Sequence, residues 1–464
     1  MTSIVEVDRL LAAAVTVAAY VALCAVVFLG ERRKRRAAAV EAAALLPAAP
    51  DASPVLVAFA SQTGTAQSLA WQTARSLHVA GVPSRVLALS DVAADDLSNA
   101  QRVLFLVSTY GEGDPPDNAA LFARRLMAAH LPLQQLRYGL LAMGDRAYAN
   151  FRGFGMALEQ WLARQGAQPL FDRIDVDGGD ESALRDWQQL LGGIAGSSDL
   201  PLWRPTEFGQ WQLRSRRHLN PGSAGSPLFE VELVPPPGSS PQWEAGDLLQ
   251  VRASGDDARP RDYSIASLPS DGSVHLLVRQ ELCADGRTGL VSGWLTRDAA
   301  PGELVAACIR MHQNFRLGDN AARPLVLIGN GSGLAGLLGL MRARVRAGMH
   351  DTSGPGRHWL LYGERTAATD FHYRELIGNW QRDGVLERAD IVFSRDQPER
   401  RYVQHQLVAA ADEVRQWVGA GAAIYVCGSL VGMATGVDKA LAAVLGRREL
   451  DDLARTGRYR RDVY

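Results

Sequence analysis

Three short strings in the first 160 residues put hydroxyls, glycines and aromatic rings where apolar runs end. Ser61-Gln-Thr-Gly-Thr-Ala66 lies between an apolar run and a helix-like stretch. Its hydroxyls, with the amides of a helix N-terminus, suit a phosphate group without any lysine. The string is not GxxxxGKS/T, which disfavours a nucleoside triphosphatase. A second string runs Ser108-Thr-Tyr-Gly-Glu-Gly-Asp-Pro-Pro-Asp-Asn118, and a third Gly144-Asp-Arg-Ala-Tyr-Ala-Asn-Phe-Arg-Gly-Phe-Gly155. Each follows an apolar run, so all three fall at the carboxyl ends of strands, where open α/β sheets bind ligands. Tyr110 and Tyr148 then face one crevice, and a planar ring can stack between them. Alone, the first string reads as readily as a helix cap, and the tyrosines as surface residues on glycine-rich turns. Three loops in register favour the ligand.

Two further groups of residues lie downstream. Arg261-Asp-Tyr-Ser-Ile-Ala-Ser267 offers a guanidinium for a pyrophosphate, a ring for stacking and a hydroxyl for a ring nitrogen. Gly289-Leu-Val-Ser-Gly-Trp-Leu295 is a glycine turn opening a helix, again a phosphate site. Leu325-Val-Leu-Ile-Gly-Asn-Gly-Ser-Gly-Leu-Ala335 reads as strand, glycine turn and helix, with GxGxG spacing in place of the full dinucleotide fingerprint. Ser394-Arg-Asp-Gln-Pro-Glu-Arg-Arg-Tyr-Val-Gln404 gathers arginines and hydroxyls, the composition that a dianionic phosphate needs. A solvated charge run is its alternative. Tyr425-Val-Cys-Gly-Ser429 ends a strand and sets Cys427 at its carboxyl end.

In order and spacing, these strings resemble the diflavin reductases: NADPH–hemoprotein reductase, the sulfite reductase flavoprotein and the reductase half of nitric oxide synthase. The resemblance spans residues 54–464. It implies an FMN phosphate held at Ser61, Gln62, Thr63, Gly64, Thr65 and Ala66. It also implies ring stacking by Tyr110 and Tyr148, with Ser108, Thr109, Gly111, Gly144, Asn150 and Phe151 shaping that pocket. FAD is implied at Arg261, Tyr263, Ser264, Gly289 and Ser292. NADPH is implied at the glycine turn with Ser332, and its 2′-phosphate at Ser394, Arg395, Arg400, Tyr402 and Gln404. Ser264, Cys427 and Asp462 are implied around the flavin N5 and the nicotinamide C4, where they orient hydride transfer. The terminal Tyr464 is implied on the FAD face that nicotinamide must reach, free to swing away. Two positions depart from the pattern: Asn330 and Gly336 stand where the family usually has proline. A larger departure is length. Only thirteen residues separate Asp247 from Arg261, so the family's helical connecting domain is absent.

The elements that must position these residues are legible as patterns. Val55–Ala60, Arg85–Leu89, Val103–Val107 and Tyr138–Met143 are short apolar runs alternating with helical stretches, which predicts a doubly covered parallel sheet. Phe229–Val234, Leu248–Ala253 and Val274–Gln280 alternate among Gly, Pro and Asp, which predicts an antiparallel barrel. Pro324–Ile328, His358–Tyr362 and Ala423–Cys427 return to α/β. The expected fold is a flavodoxin-like FMN domain at 54–195, a linker at 196–205, an FAD-binding β-barrel at 206–321 and an NADP-binding α/β domain of ferredoxin–NADP reductase type at 322–464. Residues 37–53 form an Ala- and Pro-rich linker before them.

The 464 residues carry 47% apolar and 21% charged side chains and a net charge of −1. These values exclude a disordered or fibrous chain and a basic nucleic-acid binder. Only Lys34 and Lys439 among the 49 basic residues are lysine, a coding bias. Cys24, Cys283, Cys308 and Cys427 form no CxxC pair, which argues against a disulfide framework or a zinc site, and no metal is expected. Leu10 to Leu29 are twenty uncharged, mostly apolar residues followed by Glu31-Arg-Arg-Lys-Arg-Arg36. At about 1.5 Å per residue they span one hydrocarbon core. The basic flank predicts a single-pass anchor in the cell inner membrane, residues 1–36, with the catalytic domains in the cytoplasm. A signal peptide fits less well, because the basic n-region and a clear cleavage site are missing.

The expected activity is NADPH-dependent electron transfer through FAD and FMN to a heme protein or another membrane-associated one-electron acceptor. The flavoprotein component of sulfite reductase is the nearest alternative. A quinone or oxygen reductase without a protein partner, and a non-catalytic membrane flavin redox sensor, are the others. The hydride-site residues and the full phosphate string weigh against the sensor, which needs no turnover.

Overall fold

The computed structural model describes residues 54–111, 113–146, 150–178, 180–196, 203, 207–253, 259–282, 286–348 and 357–464. The expected membrane span and Tyr148 lie outside the described residues. Among the described residues, no helix is long and apolar enough to cross a membrane.

The first sheet is parallel, in the order β2-β1-β3-β4-β5, with β6 also paired to β4. Its strands are β1 (Val55–Ala60), β2 (Ser84–Ala88), β3 (Arg102–Ser108), β4 (Arg137–Gly144), β5 (Gln168–Pro169) and β6 (Ile174–Asp177). Every residue of β1 is buried, because helices cover both faces. That double burial is why the strand reads as an unbroken apolar run rather than an alternation. The order is that of flavodoxin-like sheets, with the switch point between β1 and β3.

The second sheet is antiparallel, in the order β10-β9-β12-β7-β8-β11. A bridge between Ile265 and Leu276 brings its two edges together, so it closes as a barrel. The strands are β7 (Gly209–His218), β8 (Leu228–Val234), β9 (Leu248–Arg252), β10 (Arg261–Ser264), β11 (Val274–Arg279) and β12 (Leu304–Arg310). Strands β9 and β10 are paired neighbours along the chain, so no domain intervenes where the connecting domain would be inserted.

The third sheet is parallel, in the order β15-β14-β13-β16-β17. It comprises β13 (Leu325–Asn330), β14 (His358–Glu364), β15 (Arg388–Phe393), β16 (Ala423–Gly428) and β17 (Tyr459–Val463). The apolar pattern does not announce β17, whose sequence is Tyr-Arg-Arg-Asp-Val. It becomes a strand by pairing with β16, and the register sets Cys427 beside Asp462.

The third unit carries a buried acid-sensitive group. His358 is fully buried, and its Nδ1 donates to the Arg357 carbonyl at 2.7 Å. Burial, reinforced by the Arg344 guanidinium, lowers its pKa to about 4. A histidine that stays neutral when folded stabilises the fold above its unfolded value of about 6.5, and that stability is lost as pH falls from there toward 4. The loss amounts to about 3 kcal/mol. Urea titrations at pH 7 and pH 4.5 should show it in the native chain and show less of it in His358→Gln. An identical pH dependence in the two proteins would refute the assignment.

Candidate active site

The first constellation gathers at the carboxyl ends of β1, β3 and β4. Gly64 adopts a left-handed φ of +89° as the helix Thr65–Val79 begins, so the amides of its first turn face the loop Ser61–Thr63. The loop is fixed from below. Ser61 N donates to Asn118 Oδ1 at 2.9 Å, and Asp117 N donates to Gln62 Oε1 at 2.9 Å. Gln62 therefore braces the loop and offers little to a ligand. Ser61 Oγ differs: it is buried and has no hydrogen-bond partner. An orphaned hydroxyl beside helix-start amides fits an FMN phosphate. Tyr110 stands in a tight turn closed by its amide on the Asp114 carbonyl at 2.8 Å. Thr109 Oγ1 accepts from Phe154 N at 3.3 Å, tying the loops after β3 and β4 together. Gly144 has no space for a side chain, since a Cβ would lie 2.8 Å from Arg152 N and 2.9 Å from the Phe151 ring. Asn150 packs against Gly113 in the neighbouring loop.

The second and third constellations meet where β10, β16 and β17 converge. Ser264 Oγ donates to Asp462 Oδ2 at 2.7 Å. The Cys427 thiol reaches the same oxygen at 3.6 Å and lies 4.0 Å from Ser264 Oγ. All three side chains are buried. Burial, with Asp462 beside it, holds the Cys427 thiol well above its ordinary pKa, so it is a neutral thiol and not a nucleophile. Cys308, half-buried on β12, is pushed up to about 11 by burial and is inert in the same way.

On β10, Arg261 and Tyr263 flank this site. Tyr263 packs on the barrel core. Arg261 reaches Asp145, in the loop after β4, at 3.3 Å. Gly289 precedes the short helix Leu290–Gly293, and Ser292 Oγ accepts from Glu281 N at 3.2 Å. A guanidinium, a phenol ring and helix-start amides are a donor set that fits FAD.

The glycine turn after β13 is built by close approach. A Cβ on Gly333 would lie 2.1 Å from the Cys427 carbonyl oxygen. The two departures from the family pattern have local reasons. Asn330 Oδ1 accepts from Ser429 N at 3.0 Å, stitching the loops after β13 and β16 together. Gly336 packs on Cys427, where a Cβ would already stand 3.0 Å from the sulfur. Ser332 Oγ accepts from the Tyr464 hydroxyl at 3.0 Å. Tyr464 is half exposed, but its backbone is pinned: its amide donates to Gly428 O at 3.0 Å, and its carbonyl accepts from Leu430 N at 2.8 Å. The freely swinging chain end expected from the sequence is thus corrected to a fixed backbone, with only the ring left to rotate.

Ser394 is buried at the end of β15, and Arg395 and Arg400 lie beside the exposed Tyr402. Their guanidiniums, Arg395 first, lower the Tyr402 pKa below its ordinary value. Two guanidiniums beside one exposed tyrosine suit a phosphate dianion. Gln404 Oε1 is buried without a partner, and the side chain packs against Gly436.

Several residues at these sites carry no motif. Arg279 of β11 reaches over Gly331, where a Cβ would lie 3.1 Å from its guanidinium, and pairs with Glu364 at 3.0 Å. Glu364, Asp370 and His372 are buried with ligand atoms within 4.8 Å of one another, a metal-like grouping that follows no sequence motif. Glu364 there also accepts from Tyr362, and Asp370 accepts from Asn220, Thr366 and Thr369. Arg310 of β12 pairs with Asp262 and donates to Thr63 Oγ1 at 2.7 Å, which joins the barrel to the phosphate loop. Arg461 Nε lies 2.9 Å from Asp117, and the Tyr110 hydroxyl donates to the Val463 carbonyl at 2.5 Å. Arg259 pairs with Asp177 at 2.7 Å and Asp145 at 3.1 Å.

Comparison with known proteins matches residues 57–187 to a flavodoxin family model and residues 327–439 to an oxidoreductase NAD-binding domain model. The sulfite reductase (NADPH) flavoprotein alpha-component of Bacillus subtilis is 27% identical, over 92% of this chain and 92% of that protein. That of Vibrio cholerae is 26% identical over 88% of this chain and 87% of its own length. That of Neisseria meningitidis is 27% identical over 91% of each. The Bacillus alignment runs over 562 positions, whereas 92% of 464 residues is about 427, so well over a hundred positions have no counterpart here.

Proposed function

We propose that this chain, which belongs to the diflavin reductase family and is an NADPH-dependent oxidoreductase built for FMN and FAD, hands its electrons singly to a hemoprotein partner of the sulfite reductase kind. One observation carries the reading. Strand β17 serves both flavin sites: Asp462 faces Ser264 and Cys427, while Arg461 and the Val463 carbonyl hold Asp117 and Tyr110 of the flavodoxin-like unit. The curated relatives are named as one component of sulfite reductase, which favours a separate protein as acceptor.

When bound, the two flavins supply the conversion of a two-electron hydride into single electrons, chemistry that side chains lack. The chain's residues bind and orient. Arg395 and Arg400 select the phosphorylated coenzyme. Ser264 and Asp462, joined at 2.7 Å, present a hydrogen-bonded acid at the hydride site, and the Cys427 thiol fills its floor. The Tyr464 ring covers that site until nicotinamide displaces it.

A second reading rests on the apolar stretch Leu10–Leu29 and its basic flank. These favour a single-pass anchor in the inner membrane with the flavin units in the cytoplasm, and hence a membrane-associated acceptor. Protease added outside spheroplasts should then leave the flavin units intact; their digestion would reverse that orientation.

Acid extraction should release FMN and FAD in a 1:1 ratio, as expected for one site of each kind per chain. NADPH oxidation should reduce cytochrome c, and FMN-depleted protein should lose that reduction. A single flavin species, or no turnover with cytochrome c or ferricyanide, would sink the reductase reading. The proteins that co-purify with the chain from membranes and from cytosol then decide between the two acceptors.

A further inference from the structure

The end of β12 and the turn after it, residues 310–314, belong to the barrel, yet they lie along the phosphate loop of the flavodoxin-like unit. Asn314 Nδ2 donates to the Ser61 carbonyl at 2.9 Å and to the Gln62 carbonyl at 3.2 Å. The His312 ring meets the Gln62 carbonyl through Nε2 at 3.0 Å. A Cβ on Gly64 would lie 2.9 Å from the Met311 carbonyl oxygen, so the two backbones touch there. Arg310 Nη2 donates to Thr63 Oγ1 at 2.7 Å. None of these barrel residues belongs to a motif.

Residues 61–66 carry no charge of their own, so within the loop a phosphate dianion meets neutral amides and hydroxyls only. Arg310 brings a full positive charge to the loop from the other unit. Its guanidinium is aimed by Asp262, which Gln250 Nε2 also reaches at 2.9 Å. The arginine side chain keeps 19% of its surface exposed, so its charge is only partly screened. The contact also orients Thr63. The hydroxyl oxygen accepts from Arg310, which turns its single proton away from the guanidinium and leaves it for a phosphate oxygen. Asp117, the acid beside the loop, is already matched by Arg461 and Gln62.

We propose that Arg310 of the barrel is a positioning residue of the FMN phosphate site, which orients the Thr63 hydroxyl for the phosphate and sets a positive charge behind it. The site is then composite: the flavodoxin-like unit supplies the loop, and the barrel supplies the charge that the loop lacks. The inference rests on the two-flavin reading given above. Its consequence is selectivity. FMN and riboflavin share one ring system, and only FMN has the phosphate, so Arg310 favours FMN alone. A residue that merely joined the two units would serve both flavins equally.

The test is a flavin fluorescence titration of the full chain, depleted of FMN and loaded with FAD, with FMN and riboflavin added in parallel. Arg310→Ala and Arg310→Gln should each weaken FMN binding about tenfold and leave riboflavin binding unchanged. Arg310→Lys, which keeps the charge, should recover most of the FMN affinity. An equal loss for both flavins would make Arg310 a structural joint and overturn the proposal, as would FMN affinity that none of the variants alters. If Arg310→Ala fails to fold, the Gln and Lys variants decide, because they differ in charge and both retain a donor for Thr63. A native chain whose acid extract contains no FMN would sink the two-flavin reading and this inference with it. An unchanged ratio of FMN to riboflavin affinity strikes this inference alone.

Discussion

Replacing Arg395 and Arg400 together by alanine should raise the KM for NADPH about a hundredfold and leave that for NADH nearly unchanged. Both guanidiniums lower the Tyr402 pKa, which sets them beside its exposed ring. Each charge-assisted bond to the 2′-phosphate is worth about 1.5–3 kcal/mol, and the lower end applies because Tyr402 is exposed. Two such bonds give about 3 kcal/mol, or about two powers of ten in affinity. NADH lacks the phosphate and loses nothing. Tyr464→Ala should act at the other end of the coenzyme: with the covering ring gone, nicotinamide binds more tightly for both coenzymes and the preference for NADPH narrows. Equal effects of the double substitution on both coenzymes would place the 2′-phosphate elsewhere.

Arg461→Ala should loosen the flavodoxin-like unit from the rest of the chain. Removing one partner of a buried ion pair costs about 3–5 kcal/mol when the other charge stays buried. Arg461 and Asp117 keep 18% and 24% of their side-chain surface exposed, which brings the expectation to about 2 kcal/mol. That is roughly a thirtyfold change in the balance between docked and undocked forms. Arg461 is the cleaner position, because Asp117 also accepts from the Gln62 side chain at 3.1 Å and braces the phosphate loop. X-ray scattering should show a larger radius of gyration for the variant. Stopped-flow absorbance should show the first flavin reduced by NADPH at the native rate and the second more slowly. Unchanged scattering and unchanged second-flavin reduction would mean that the pair does not hold the units together.

Much of the candidate site is legible in the sequence because its signals are local. A glycine turn between a strand and a helix brings its own hydroxyls and amides, as at Ser61–Ala66 and Gly331–Gly333. A strand buried on both faces, such as Val55–Ala60, writes its environment into its own residues. The absent connecting domain was legible in the same way, as thirteen residues between Asp247 and Arg261.

The sequence by itself determined the α/β, barrel and α/β succession, the strand–turn–helix loops after β1 and β13, and the motif residues Ser264 and Cys427 that meet at Asp462. The tertiary structure alone decided how the loops meet. Gln62 and Arg461 are hydrogen-bonded across 399 positions, and His312 stands between Gln62 and Asp462 although it carries no motif. Strand β17 shows the limit most plainly. Tyr-Arg-Arg-Asp-Val has no apolar periodicity of its own, and it becomes a strand because β16 supplies its hydrogen bonds. Its alternating sides then face different units, Asp462 toward Ser264 and Cys427 and Arg461 toward Asp117. The physical reason is one of range: strand burial and turn chemistry are set by neighbours along the chain, whereas an ion pair or a long-range hydrogen bond needs partners that only the folded sheets bring together.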